Sequence, residues 1–128
     1  MAQPTLDAFG IVSKDLQRSI DFYTLVGVPE PAEKEGPHWE CVLSNGIRIM
    51  FDHIDLIREI MPDYVEPVGN RMGLAFKCEN AAQVDATFKA VVDAGFSAKL
   101  EPFDAFWGQR YATLIDPDGN LVDLFANL

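Results

Sequence analysis

Few residues of this chain could do chemistry, and most of them sit on two hairpins. Asp123 stands in the alternating segment Leu121-Val122-Asp123-Leu124-Phe125, opposite Thr113 if the hairpin closes on Pro117-Asp118-Gly119. A carboxylate so placed can serve as a general base, as a counter-charge for a ligand, or simply as a group held by its neighbours' hydrogen bonds. The last is the commonest use. His38 and His53 come to the open end of the other hairpin, with Glu40 and Asp52 beside them. Those donor types could hold a metal, but a solvated hairpin end explains them more simply. No Ser-His-Asp or Cys-His pattern, phosphate-binding glycine loop or dinucleotide fingerprint is present. A ring set remains: Trp39, Phe103, Phe106, Trp107 and Tyr111, with small Ala8, Gly10, Gly73 and Ala75 on the inner strands. Large rings closing over space left by small residues suit a planar guest.

Bulk properties narrow the partners. Twenty acidic against ten basic residues give a formal net charge of −10, which argues against nucleic acid or an anionic membrane surface. Neutral or cationic small ligands are favoured instead. Apolar runs are too short to cross a bilayer and no signal-peptide pattern opens the chain, so a cytoplasmic protein is expected. Cys41 and Cys78 form no CxxC pair and read as buried free thiols. No cofactor motif is found. A chain of 128 residues fits one domain with a real core.

The elements that must position these residues occur twice. Ser44-Asn45-Gly46 runs into Ile47-Arg48-Ile49-Met50-Phe51, and Pro117-Asp118-Gly119-Asn120 runs into Leu121-Val122-Asp123-Leu124-Phe125. Each is a polar turn feeding an apolar strand. Upstream of each lie a strand and an amphipathic helix: 6–13 then 14–25, and 71–78 then 81–94. In the first half, 28–36 reads as a short irregular strand plus loop, followed by strands 38–43 and 47–53. A linker helix is expected over 54–61 and a hinge over 62–69. Strands 97–102, 108–115 and 121–126 complete the second half. The order βαβββ, twice, defines an α+β domain of two modules, 5–55 and 69–127, with a cleft between them.

Hairpin registers then assign faces. A two-residue turn at Asn45-Gly46 pairs Leu43 with Arg48, Cys41 with Met50 and Trp39 with Asp52, and puts these six on one face. A three-residue turn at 117–119 pairs Thr113 with Asp123 and Tyr111 with Phe125. Trp107 and Gln109 share that parity. The opposite faces, carrying Val42, Ile49, Phe51 and Ala112, Leu114, Val122, Leu124, would pack on helices.

The segments Asp15-Leu16-Gln17-Arg18-Ser19-Ile20-Asp21-Phe22-Tyr23 and Asp116-Pro117-Asp118-Gly119-Asn120-Leu121-Val122-Asp123-Leu124-Phe125 together resemble the vicinal oxygen chelate superfamily. This is the glyoxalase, bleomycin-resistance and extradiol-dioxygenase group. The resemblance implies two βαβββ modules curling into open, cup-shaped mixed sheets around a cleft, and homodimeric assembly. It also implies metal ligands of the His or Glu type at four sites, which fall here on Ala8, Met50, Gly73 and Asp123. Only Asp123 could bind a hard divalent ion, and a catalytic site needs two or three such ligands.

Absence of those ligands favours a binding protein, of the drug- or metabolite-sequestering kind linked to antibiotic resistance, over an enzyme. The alternatives are a lyase or dioxygenase with non-standard ligands or Asp123 as base, and a dimerising module without ligand. The expected ligand is planar, aromatic-containing, and neutral or cationic. Trp39 and Trp107 would stack on it, Phe106 and Tyr111 close the rim, and Met50 lines the cleft. Asp52 and Asp123 would supply charge, and Arg48, Gln109 and Thr113 hydrogen bonds.

Overall fold

The computed structural model describes residues 3–128. Strand β1 (Ala8–Ser13) leads into α1 (Leu16–Leu25), then β2 (His38–Val42) and β3 (Arg48–His53). After the short α2 (Ile54–Ile60) come β4 (Leu74–Lys77), α3 (Ala81–Asp93), β5 (Ser97–Ala105), β6 (Gln109–Ile115) and β7 (Leu121–Asn127). One sheet has the order β1-β3-β2, the other β4-β7-β6-β5. In each, the first strand runs parallel to the last and the remaining pairs are antiparallel. The sheets are mixed and the class is α+β.

The internal repeat is visible in how the helices begin and end. Asp15 caps α1 by accepting from Arg18 N, and Asn80 caps α3 by accepting from Gln83 N. At the other ends, Gly27 N bonds Thr24 O and Val28 N bonds Tyr23 O, while Gly95 N bonds Val92 O and Phe96 N bonds Val91 O. Both are Schellman endings whose last residue, Val28 or Phe96, turns into the core.

That same ending removes an expected strand. Residues 28–36 form no strand, so the first sheet has three strands against four in the second. The amide of Val28 is spent on the helix cap, and Pro29 and Pro31 have no N–H to give a ladder.

Both hairpins use one turn type. Gly119 N bonds Asp116 O at 3.1 Å with Gly119 at φ +91°, and Gly46 N bonds Leu43 O at 2.9 Å with Gly46 at φ +88°. Each is a three-residue loop whose glycine takes the left-handed position. At the second hairpin the expected pairs, Thr113 with Asp123 and Tyr111 with Phe125, are present. The first slips by one: Val42 pairs with Arg48, Glu40 with Met50, Trp39 with Phe51 and His38 with Asp52. A one-residue slip exchanges the faces of β2.

The two modules share one core. Ile20, Phe22, Tyr23, Phe51, Val84, Val91, Leu114 and Leu124 are buried in a single cluster, in which Phe22 meets Tyr23 at 5.0 Å and Phe96 at 5.4 Å edge-on. Asp116 knots this core to the last turn. Its Oδ2 accepts from Tyr23 Oη at 2.7 Å and Asn120 Nδ2 at 2.8 Å, and its Oδ1 from the amides of Asp118 and Asn120. Ser19 Oγ donates to Asp118 Oδ2 at 3.3 Å, and the amide of Lys14 to its Oδ1 at 3.0 Å. Along the seam, Phe9 and Gly10 of edge strand β1, Leu74 of β4 and Gly73 just before it line a common cavity of about 240 Å³.

Candidate functional site

Each sheet turns one face away from the helices. On the first, the register collects Ala8, Gly10 and Val12 of β1, Arg48, Met50 and Asp52 of β3, and His38, Glu40 and Val42 of β2. This face is occupied by its own ion chain. Arg48 Nη2 reaches Asp7 at 2.5 Å and its Nη1 reaches Glu40 at 2.7 Å. His38 lies between Glu40, 2.9 Å from Nε2, and Asp52, 2.6 Å from Nδ1. Met50 lies beside Gly10, its Cε 3.9 Å from where a side chain there would begin. Arg48 and Asp52 thus already have partners within the fold.

Glu40 first, then Asp52, push the His38 pKa above its usual 6.5, and His38 in turn lowers that of Glu40. A raised folded-state pKa stabilises fully below the unfolded pKa near 6.5 and loses that contribution as pH rises through the folded value. Thermal stability of the wild type should therefore fall from pH 6 toward alkaline pH more than that of His38→Gln. Parallel melting curves of the two proteins across that range would refute the assignment.

Trp39 and His53 depart from expectation. With the register slipped, Trp39 sits opposite Phe51 on the helix side, packs against the core and donates from Nε1 to Gly36 O at 3.1 Å. It faces away from Met50 and Arg48. His53 does not meet His38, because Asp52 takes that place. Instead His53 Nδ1 caps α2 by accepting from the amide of Asp55 at 3.1 Å.

The open face of the second sheet brings together the rest of the expected set. Tyr111, Thr113 and Gln109 of β6 alternate with Asp123, Phe125 and Asn127 of β7, with Ala75 next to Asp123 on β4 and Phe103 next to Tyr111 on β5. Asp123 accepts from Tyr111 Oη, and from Thr113 Oγ1 at 2.8 Å. Burial first, then Asp123, push the Tyr111 phenol up to about 12. Trp107 lies 5.3 Å from Tyr111 and 6.2 Å from Phe103, ring centre to ring centre and nearly perpendicular to both. Phe106 adds a fourth ring 5.1 Å from Trp107 and is 98% exposed. Trp107 Nε1 donates to Gln109 Oε1, and Gln109 Nε2 to Asn127 Oδ1. Half of Trp107 remains open to solvent.

Sequence reasoning left Asn127 out of the site, and it counted Phe103 among the rings without placing it on a face. Asn127 follows from extending the β6–β7 register two residues beyond Phe125. The face of Phe103 could not be read, because register shifts in β5 at 98–100 and 100–103 break the parity by which faces are assigned. The larger cavities lie elsewhere. One of about 810 Å³ opens at the seam near Leu43 and Phe76, another of about 550 Å³ beside His38 and Glu40, and Asp123 and the rings line neither.

The four residues that the resemblance puts at the family's metal positions do not suit a hard divalent ion. Ala8 and Gly73 carry no donor, Met50 offers only a soft thioether, and both Asp123 oxygens already accept hydroxyl hydrogens. Among the described residues no three His, Cys, Asp or Glu side chains are grouped so as to hold a metal ion. Nor is a thiol nucleophile available: Cys41 and Cys78 are buried, and burial raises both, Cys41 to about 11. No helix among the described residues is long and apolar enough to cross a membrane.

Two helix-backed modules repeated within one chain, each turning an open sheet face outward, define a duplicated α+β cup protein. The profile of the Glyoxalase/Bleomycin resistance protein/Dioxygenase superfamily matches residues 5–124, and the chain belongs to that family. Solved structures agree on the fold. A glyoxalase/bleomycin resistance protein/dioxygenase family enzyme from Burkholderia phytofirmans PsJN superposes with a TM-score of 0.85 at 21% identity, covering 98% of this chain and 100% of that one. For a glyoxalase-related enzyme from Fulvimarina pelagi the values are 0.84, 19%, 98% and 89%. A glyoxalase/bleomycin resistance protein/dioxygenase from Nocardioides gives 0.77 at 23% identity, covering 100% and 86%. No curated protein matches the chain.

Proposed function

We propose that this chain is a small-molecule binding protein of its family, without a catalytic metal at the four family positions. Its ligand is planar, aromatic-containing, and neutral or cationic, and it is held on the open face of the second module. One observation carries the reading: Phe103, Trp107 and Tyr111 form a ring cluster beside a carboxylate on one sheet face, with Trp107 half exposed. Rings left open to water next to a fixed charge are a surface awaiting a guest. The two hydroxyl hydrogens that Asp123 accepts hold it in place as a counter-charge, with lone pairs left on both oxygens for a donor.

The two tryptophans permit a clean test. Trp39 lies on the helix side and Trp107 on the open face, so Trp39→Phe leaves a single reporter at the site. Titration of that variant with quinoline-type heteroaromatics should quench fluorescence saturably, and Trp107→Phe should not respond. Quenching through Trp39 alone, or none with any ligand of the class, refutes the reading.

The protein is also proposed to act as a homodimer in the cytoplasm. Support comes from β5, an edge strand with Leu100 exposed, and from Val65, Val68 and Met72, all largely exposed between the modules. Sedimentation at micromolar concentration should give twice the mass of 14.2 kDa, and a monomer there would contradict assembly.

A further inference from the structure

The hydrogen bonds on the second module's open face leave acceptors at its centre, around Asp123, and confine the spare amide hydrogens of Gln109 and Asn127 to one end. A carboxylate can only accept, so the hydrogens of Tyr111 Oη and Thr113 Oγ1 must both point at Asp123. The indole N–H of Trp107 is spent on Gln109 Oε1, and one amide hydrogen of Gln109 on Asn127 Oδ1. At the centre of the face this leaves hydroxyl lone pairs, carboxylate lone pairs, one negative charge and the negative faces of three rings. The nearest cation by register is Lys77, opposite Phe125 and two residues along β4 from Ala75, and it makes no ion pair with Asp123 among the described residues.

Resting on the binding reading above, we propose that the ligand is a cation that donates N–H: a protonated amino-heterocycle or aryl amidine. Its ring packs on Trp107, and its N–H groups reach the Tyr111, Thr113 and Asp123 oxygens. A carboxylate or phosphate ligand finds no donor at the centre and meets the charge of Asp123. An alkylated cation with no N–H satisfies the rings but leaves the spare lone pairs of these four oxygens without a donor in a desolvated contact. A neutral heterocycle that can only accept meets acceptors. The hydroxyls hold the carboxylate in place, and Tyr111 remains protonated across the physiological range because burial and Asp123 raise its pKa to about 12.

Four probes on one ring separate the possibilities: protonated 4-aminoquinoline, 1-methylquinolinium, neutral quinoline and quinoline-4-carboxylate, each titrated against the full chain by calorimetry at neutral pH. The amino compound should bind about tenfold or more tighter than 1-methylquinolinium, with quinoline weaker still and the carboxylate weakest. Asp123→Asn should erase the gap between the first two. Tyr111→Phe, which removes one acceptor and keeps the ring, should narrow it while the protein still melts cooperatively. Equal binding of 4-aminoquinoline and 1-methylquinolinium overturns the N–H requirement and leaves ring binding standing. Preference for quinoline or the carboxylate overturns the inference in the same way. Failure of all four to bind overturns it together with the binding function.

Discussion

Replacing Asp116 with alanine is expected to cost about 3–4 kcal/mol of stability, a large share of the roughly 5–15 kcal/mol a domain of this size possesses. Asp116 is only 3% exposed, yet four donors converge on it: Tyr23 Oη, Asn120 Nδ2 and the amides of Asp118 and Asn120. Alanine strands the buried Tyr23 hydroxyl and unties the turn that sets the β6–β7 register. Asp116→Asn keeps one accepting oxygen and should cost about half as much. Tyr23→Phe removes only one of the four donors, at about 1–2 kcal/mol. Urea unfolding of the three variants should rank them in that order, and an alanine variant within about 1 kcal/mol of wild type would show that the knot contributes little.

Alanine at the two tryptophans should give opposite outcomes. Trp107 touches Phe103, Phe106 and Tyr111 and is half exposed, so its loss should weaken a quinoline-type ligand about tenfold at an edge-on ring contact worth about 0.5–1.5 kcal/mol plus lost burial. Stability should change little. Trp39 packs against the core beneath the first sheet and should cost on the order of 2 kcal/mol as alanine, short of a fully buried ring, with affinity unchanged. Equal binding losses at the two positions would mean that the ligand spans both modules and that the face assignment is wrong.

What could be read in the chain follows from what its motifs do physically. The two segments that mark the family touch each other: Ser19 bonds Asp118 and Tyr23 bonds Asp116. They hold the first helix against the last hairpin, so they announce the fold while saying nothing of the ligand. The second hairpin was legible because Pro117-Asp118-Gly119 declares its own length, and the parity that follows placed Tyr111, Thr113 and Asp123 on one face. At the first hairpin Asn45-Gly46 suggests a two-residue turn. The chain instead turns through Ser44, Asn45 and Gly46, and that single residue moves Trp39 from the open face to the helix side. The ion chain from Asp7 through Arg48, Glu40 and His38 to Asp52 was hidden by the same slip.

Chemical-shift mapping with 4-aminoquinoline on the ¹⁵N-labelled protein tests the central claim most directly. Saturable shifts should gather at Phe103, Trp107 including its indole N–H, Gln109, Tyr111, Thr113 and Asp123, with the first sheet's Glu40, Arg48 and Met50 unmoved. Shifts centred on the first sheet or on the seam near Leu43 and Phe76, or no saturable shift at millimolar ligand, would contradict it.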